Sequence, residues 1–275
     1  MHRLTRTVRF NLPAGGRAPG NRPGEGANGE SGKPPMEGLG VHYSIEVRCE
    51  GEPDPETGYL INIKEIDTAV HGELVPLVAK AVAGGDAPST LVTDLLGAAT
   101  RLLPVRVASV ALHPSPHLVY EARSPHERHP MDTSAAEVLV RQMFEFSAAH
   151  RLDVPSLSDA ENERLFGKCN NPSGHGHNYE IEVCVQKPLT EHAMHAAELE
   201  QIVEETIIQR FDHKHLNLDT AEFATDTGLN PSVENIARVC HDLLAPAIAS
   251  GSGNPALTSV TVWETPKTSC TYPAP

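Results

Sequence analysis

Gly174-His175-Gly176-His177-Asn178-Tyr179-Glu180-Ile181-Glu182-Val183 reads as the opening of a β-strand. Tyr179, Ile181 and Val183 alternate with Glu180 and Glu182, the period of a strand with one buried face. His175 and His177 stand at i and i+2, so both imidazoles project from the face that carries Tyr179. An earlier stretch, Gly38-Leu39-Gly40-Val41-His42-Tyr43-Ser44-Ile45-Glu46-Val47, matches it at six of ten positions without a gap. Leu39 and Val41 stand where His175 and His177 do. This predicts a duplicated unit whose first copy keeps the strand and has lost its polar chemistry.

Outward from these strands, the two halves repeat one order. The second half reads as a strand over Val138–Ala149, a long loop to about Gly174, and a strand over Asn178–Val185. A helix follows over Ala196–Phe211, with Leu199, Val203, Ile207 and Phe211 on one face. A second helix starts after Pro231 with Ser232 as its N-cap and Val233, Ile236, Cys240 and Leu244 as its buried stripe. Strands over Thr258–Trp263 and Thr268–Tyr272 close the half. The first half reads as a strand over Thr5–Asn11, a Gly- and Pro-dense loop over Leu12–Gly40, and a strand over His42–Cys49. Helices follow over Ile66–Val82 and Thr90–Leu103, with Pro76 expected to kink or shorten the first. A hairpin of Val105–Leu112 and Leu118–Glu121 ends it. The polar stretch Ala122–Ser134 reads as a linker, dividing the chain into 1–121, 122–134 and 135–275.

Composition narrows the function. Of 275 residues, 39% are hydrophobic and 21% charged, the balance of an ordinary globular protein. No apolar run approaches the ~20 residues of a membrane helix, and Met1–Leu12 has no signal-peptide core. A net charge of −14 argues against a general nucleic-acid binder, although local Lys and Arg clusters can still meet an anionic small substrate. Five cysteines, an odd count without a Cys-x-x-Cys pair, argue against a disulfide framework and place the protein in the reducing cytoplasm.

Several residues carry chemistry. His175 and His177 can converge on one ion, and His150, ending Phe146-Ser147-Ala148-Ala149-His150, is a third candidate. Three neutral imidazoles with an open fourth position are the donor set of a catalytic zinc. His-x-His alone reads equally as a satisfied polar pair. Cys169 is either a fourth ligand or a thiolate base beside the cation. Asp212-His213 is either a carboxylate-oriented acid/base pair or the charged end of a helix. Glu264, after Val262-Trp263, says nothing by itself.

Together, Phe146–Leu152 (FSAAHRL), Cys169–Tyr179 (CNNPSGHGHNY), Asp212–Asn217 (DHKHLN), Pro231–Asn235 (PSVEN) and Val262–Thr265 (VWET) resemble the 6-pyruvoyl-tetrahydropterin synthase family, which includes the bacterial 6-carboxytetrahydropterin synthases. The signatures fall in family order across residues 138–275. The first half resembles the family more weakly, through Gly51–Ile63 and its closing strands. The resemblance implies an α+β chain of two tandem tunnelling-fold units, each a four-stranded antiparallel sheet with two helices on one face. It implies Zn2+ on His150, His175 and His177, Cys169 as base, and Asp212 with His213 as the partner acid/base pair. It places Glu264 on the guanidine-like edge of a pterin and Ser232 near the same pocket. The implied reaction converts 7,8-dihydroneopterin triphosphate to 6-pyruvoyl-tetrahydropterin with loss of triphosphate, as in tetrahydrobiopterin biosynthesis, without a redox cofactor.

The five residues between Cys169 and His175 resemble the spacing of the eukaryotic-type pyruvoyl synthases and not the shorter spacing of the queuosine-pathway enzymes, so the resemblance implies the pyruvoyl product over the 6-carboxy product of queuosine biosynthesis. A non-catalytic zinc- or pterin-binding scaffold is the alternative from another class. Arg151, Lys168, Lys214 and Lys267 are candidates for the phosphates, each with the preferred reading of an ordinary surface cation. Ala14, Leu39, Val41 and Pro114 align with His150, His175, His177 and Glu264, so the first half is expected to bind no zinc. Its His42, His71, His113 and His117 are then packing or surface residues. Family sites lie between subunits, so a homo-oligomer is expected.

Overall fold

The structure is a computed structural model and describes residues 1–13, 32–33, 39–125, 137–187, 193–225 and 228–274. Residues 126–134 of the expected linker, and most of the Leu12–Gly40 loop, lie outside the described residues. The chain divides into two compact units, Met1–Val140 and Arg141–Pro275. None of the described helices is long and apolar enough to cross a membrane.

Unit 1 is an antiparallel sheet in the order β1 (His2–Pro13), β2 (Gly40–Gly51), β3 (Arg106–Ser115), β4 (Leu118–Arg123). Alternation does the sorting: Val8, Phe10 and Leu12 on β1 and Ile45, Val47 and Cys49 on β2 are buried. Glu50 and Glu121 are also buried, answered by Arg3 and Arg106 and by Arg48 and Arg123. β4 runs on to Arg123, so the first residues of the expected linker are strand: Ala122 pairs with Val110 and Arg123 with Ser109.

Between β2 and β3 run α1 (Ile63–Ala69), a π turn (Val70–Leu74), α2 (Val75–Gly84) and α3 (Pro88–Leu102). The helical run expected over Ile66–Val82, with a kink or shortening at Pro76, is divided after Ala69 by a π turn that ends two residues before that proline. The chain widens into the π turn, in which the Val75 N–H reaches back to the Val70 carbonyl, and Pro76 falls in the first turn of α2. A missing N–H costs least there.

Unit 2 orders β5 (Glu137–His150, which it holds from Arg141 on), β6 (His175–Lys187), β8 (Ala256–Thr265) and β9 (Thr268–Tyr272). Two-residue β7 (Lys214–His215) adds in parallel to β5 at Ala148 and Ala149. α5 (Ala196–Val203), a π turn (Glu204–Ile208) and α6 (Gln209–Phe211) form one continuous helical run. After α7 (Leu216–Asp219), α8 (Val233–Ala249) packs on β8 and β9, burying Ile236, Cys240, Leu244 and Ile248. Ser232 caps it as expected, its side chain accepting from the Asn235 N–H. The core stacks Phe146 on Tyr179 at 5.0 Å, with Phe211 beside Phe146.

The expected loop from 150 to 174 holds α4 (Asp159–Phe166) and a 3-10 turn (Gly167–Asn170). α4 escapes a periodicity reading because it buries only Asn162. Its start is nonetheless written in Ser158 and Glu161, which form a capping box.

Internal registers recur between the units. Ser44 pairs with His113 as Glu180 pairs with Trp263, and each ladder then shifts, at Arg48/Cys49 and at Cys184/Val185. The closing hairpins match as well, Val110 with Ala122 and Val260 with Tyr272. Phe10 stacks on Tyr43 as Phe146 stacks on Tyr179.

Candidate active site

His150 ends β5 with its side chain fully buried. Its Nδ1 lies 2.7 Å from the Pro231 carbonyl, a contact in which the ring must donate. That proton fixes the tautomer and leaves Nε2 as a lone pair. Nε2 faces His175 Nε2 at 3.1 Å. His177, one turn of the pleat onward, completes the group, with one ring nitrogen of each histidine within 4.8 Å of the others. Burial holds the His150 imidazole down at about 4, with His175 and His177 adding to the depression and the Pro231 carbonyl opposing it. Burial likewise lowers His175. His150 and His175 are therefore held towards the neutral form that a metal requires.

The donor set fits a metal ion. Tetrahedral nitrogen ligands about Zn2+ stand about 3.3 Å apart, close to the observed 3.1 Å. His177 Nε2 is buried with no hydrogen-bond partner among the described residues, a cost unless something occupies the space it faces. Glu264, near the end of β8, brings Oε1 to 3.4 Å from His150 Nε2 and 3.6 Å from His177 Nε2.

Cys169 stands in the 3-10 turn, half-buried, and lines a cleft of about 960 Å³ with Arg151, Lys168 and His175. The Asp212–His213 pair follows α6. Asp212 Oδ1 accepts from the Ser147 N–H at 2.8 Å, and its Oδ2 lies 2.7 Å from His213 Nδ1. The Ser147 bond, then the His213 ring, hold the carboxyl below its ordinary range. His213 sits at φ 56°, a left-handed conformation rare outside glycine, and its N–H donates to the Ser147 carbonyl. Its ring is largely exposed and lines a second depression of about 540 Å³ with Gly176, His177 and His215.

One chain thus brings together His150, His175, His177 and Glu264. Cys169 flanks that group on the side of His175, and His213 on the side of His177, and the two share neither cavity. Two further residues belong to the neighbourhood. Tyr179 is fully buried, its hydroxyl without a partner among the described residues, and its ring lies 5.6 Å from that of His177. Burial raises its phenol, and Glu264 and Cys169 add to the rise. The period-two stripe through His175 and His177 already pointed to it. His215 packs its Nε2 against Gly174, and its place in Asp212–Asn217 was the available signal.

A sequence model described as 6-pyruvoyl tetrahydropterin synthase matches residues 139–275, which hold every residue of this site. The 6-pyruvoyl tetrahydrobiopterin synthase of Homo sapiens is 43% identical over 129 residues, 46% of this chain and 84% of that protein. The chain belongs to the 6-pyruvoyl tetrahydropterin synthase family. Another relative in this family, the 6-pyruvoyl tetrahydrobiopterin synthase of Drosophila melanogaster, is 40% identical over 133 residues, 47% of this chain and 76% of that protein. Among solved structures, the Caenorhabditis elegans 6-pyruvoyl tetrahydropterin synthase is 36% identical, with 50% of this chain and 96% of that chain covered and a TM-score of 0.43.

Proposed function

We propose that unit 2 converts 7,8-dihydroneopterin triphosphate to 6-pyruvoyl-tetrahydropterin with elimination of triphosphate, using Zn2+ held by His150, His175 and His177. The observation that carries this is the convergence of three imidazoles, His150 and His175 held towards neutrality, in a chain of this family. The bound ion would supply positive charge that stabilises the negative charge developing on the substrate side chain. Cys169 takes a proton from the adjacent carbon. His213, held by Asp212, passes protons during the tautomerisation that follows, and triphosphate leaves with its electron pair. Glu264 accepts a charge-assisted pair of hydrogen bonds from the guanidine-like edge of the pterin. Ser232 accepts from the Asn235 N–H as the cap of α8, and we assign its hydroxyl that role rather than a pterin contact.

The separation of Cys169 from His213 into two cavities supports a homo-oligomeric site that takes its Asp212–His213 pair from another copy. The recurrence of register, bulge and ring stack supports a tandem duplication. Leu39 and Val41, both exposed, stand in unit 1 where the strand histidines would be, so we assign that unit a structural role and one zinc to each chain. All five cysteines are free thiols, in keeping with the cytoplasm.

The test is to incubate zinc-loaded protein with 7,8-dihydroneopterin triphosphate, with and without chelator, and identify the products by mass spectrometry. Chelator-sensitive release of triphosphate with a 6-pyruvoyl product is expected. A 6-carboxy product with acetaldehyde moves the protein to the deazaguanine route. No turnover by a zinc-containing oligomer would overturn both enzyme assignments for this substrate and leave a binding role or a different pterin.

A further inference from the structure

Arg151 lines the cleft beside Cys169 and is placed like a cation for the substrate's phosphates. Its hydrogen bonds say otherwise. Nε donates to the Asn170 carbonyl at 3.1 Å, and Nη2 reaches Asn170 Oδ1 at 3.3 Å and Asp153 Oδ1 at 3.0 Å. Three of the five guanidinium N–H groups are thus spent inside the protein. The charge is answered by Asp153, and the cleft wall adds Asp159 and Glu163, a poor setting for a triphosphate.

The same contacts close a ring around Cys169. The Arg151 N–H donates to Asn217 Oδ1 at 2.7 Å, and Asn217 Nδ2 donates back to the Arg151 carbonyl at 3.1 Å. The Leu152 N–H donates to the Cys169 carbonyl at 2.8 Å. Asn170 Nδ2 donates to the Leu152 carbonyl at 2.7 Å and to Asp153 Oδ1 at 2.8 Å. His150, the metal-site residue, immediately precedes Arg151. The turn that carries Cys169 is therefore bound, backbone and side chain, to the segment that leaves the histidine cluster.

We propose that Arg151 is a positioning residue: its guanidinium fork clasps Asn170 and so fixes the Cys169 sulfur relative to His150, and it does not bind the substrate's phosphates. This rests on the reading of Cys169 as the base. A planar fork makes the two Asn170 contacts at fixed geometry, which a lysine ammonium cannot copy. Displacing a reacting group by about 1 Å costs up to ~100-fold in rate.

The test compares wild type with Arg151→Lys and Arg151→Ala in the zinc-loaded protein, by steady-state kinetics, inhibition by inorganic triphosphate, and alkylation of Cys169 by iodoacetamide followed by peptide mass mapping. Expected in both variants is a kcat lowered by roughly tenfold or more, with KM and triphosphate inhibition within about twofold, and a several-fold change in the alkylation rate. Arg151→Lys keeps the charge, so it decides the matter if Arg151→Ala fails to fold. A raised KM and weakened triphosphate inhibition at unchanged kcat would make Arg151 a phosphate cation, and an unchanged alkylation rate would remove the clasp. Alkylation needs no substrate, so it still judges the clasp if the wild type does not turn over dihydroneopterin triphosphate.

Discussion

The Nδ1–H of His150 donates to the Pro231 carbonyl across 2.7 Å, joining the end of β5 to the residue before the cap of α8. The bond sets the tautomer, and burial holds the ring at about 4 against an ordinary 6.5. The unfolded chain therefore takes up this proton first as pH falls. Stability from the neutral ring is fully present above about 6.5 and is lost towards about 4. Urea unfolding of the metal-free protein is expected to show a loss on the order of 3 kcal/mol across that window, and His150→Gln should flatten it. An equally steep profile in the variant would trace the loss to other groups.

A methyl group on Gly174 would lie 2.5 Å from His215 Nε2 and 3.1 Å from the His150 carbonyl, at φ +71°. The left-handed backbone alone costs about 1–2 kcal/mol with a Cβ. Gly174→Ala is expected to lose about 2–4 kcal/mol of stability and to weaken metal binding, because the same residue aims His175. Adding His215→Ala should return part of the loss. Strictly additive effects would show that the two residues do not meet.

Metal content separates ligand from base. One zinc per chain is expected in the wild type and almost none in His177→Ala. Cys169→Ala should keep its zinc and lose turnover; loss of the metal there would make Cys169 a ligand. Two zincs per chain would give unit 1 a site of its own.

Asp212→Asn keeps an oxygen for the Ser147 N–H but removes the charge that orients His213. A kcat lowered about 10²–10⁴-fold at unchanged zinc content is expected. Mixing Asp212→Asn with Cys169→Ala protein under subunit exchange should restore part of the activity if each site draws on two copies. No recovery would place both groups in one chain's site.

Ser232→Ala should cost about 1 kcal/mol through the lost cap of α8, read by thermal or urea unfolding. KM for the pterin substrate is expected to change less than twofold. A raised KM at unchanged stability would return Ser232 to the pterin pocket.

The strands were legible because alternation over Tyr179–Val185 and over Tyr43–Cys49 is the direct mark of a sheet with one buried face. The helices before and after them showed their stripes for the same reason. α4 was not legible by that means, since Asp159–Phe166 buries one asparagine and no apolar stripe. Pro76 marks where the helical run is interrupted, but the proline alone does not say that the chain widens into a π turn just before it.

The residue types of the site belong to the sequence alone. His-x-His at the start of a strand, His150 at the end of another and Asp212-His213 after a helix are local patterns, and local spacing determines which side chains share a face. Which of those faces meet is a matter of long-range packing. Only the tertiary structure turned His150 towards His175 through the Pro231 carbonyl and set Glu264 over the imidazoles. It also put Cys169 and His213 in different cavities, and spent the charge of Arg151 on Asn170 and Asp153. Most of these contacts join residues far apart in the chain, which no period or spacing encodes.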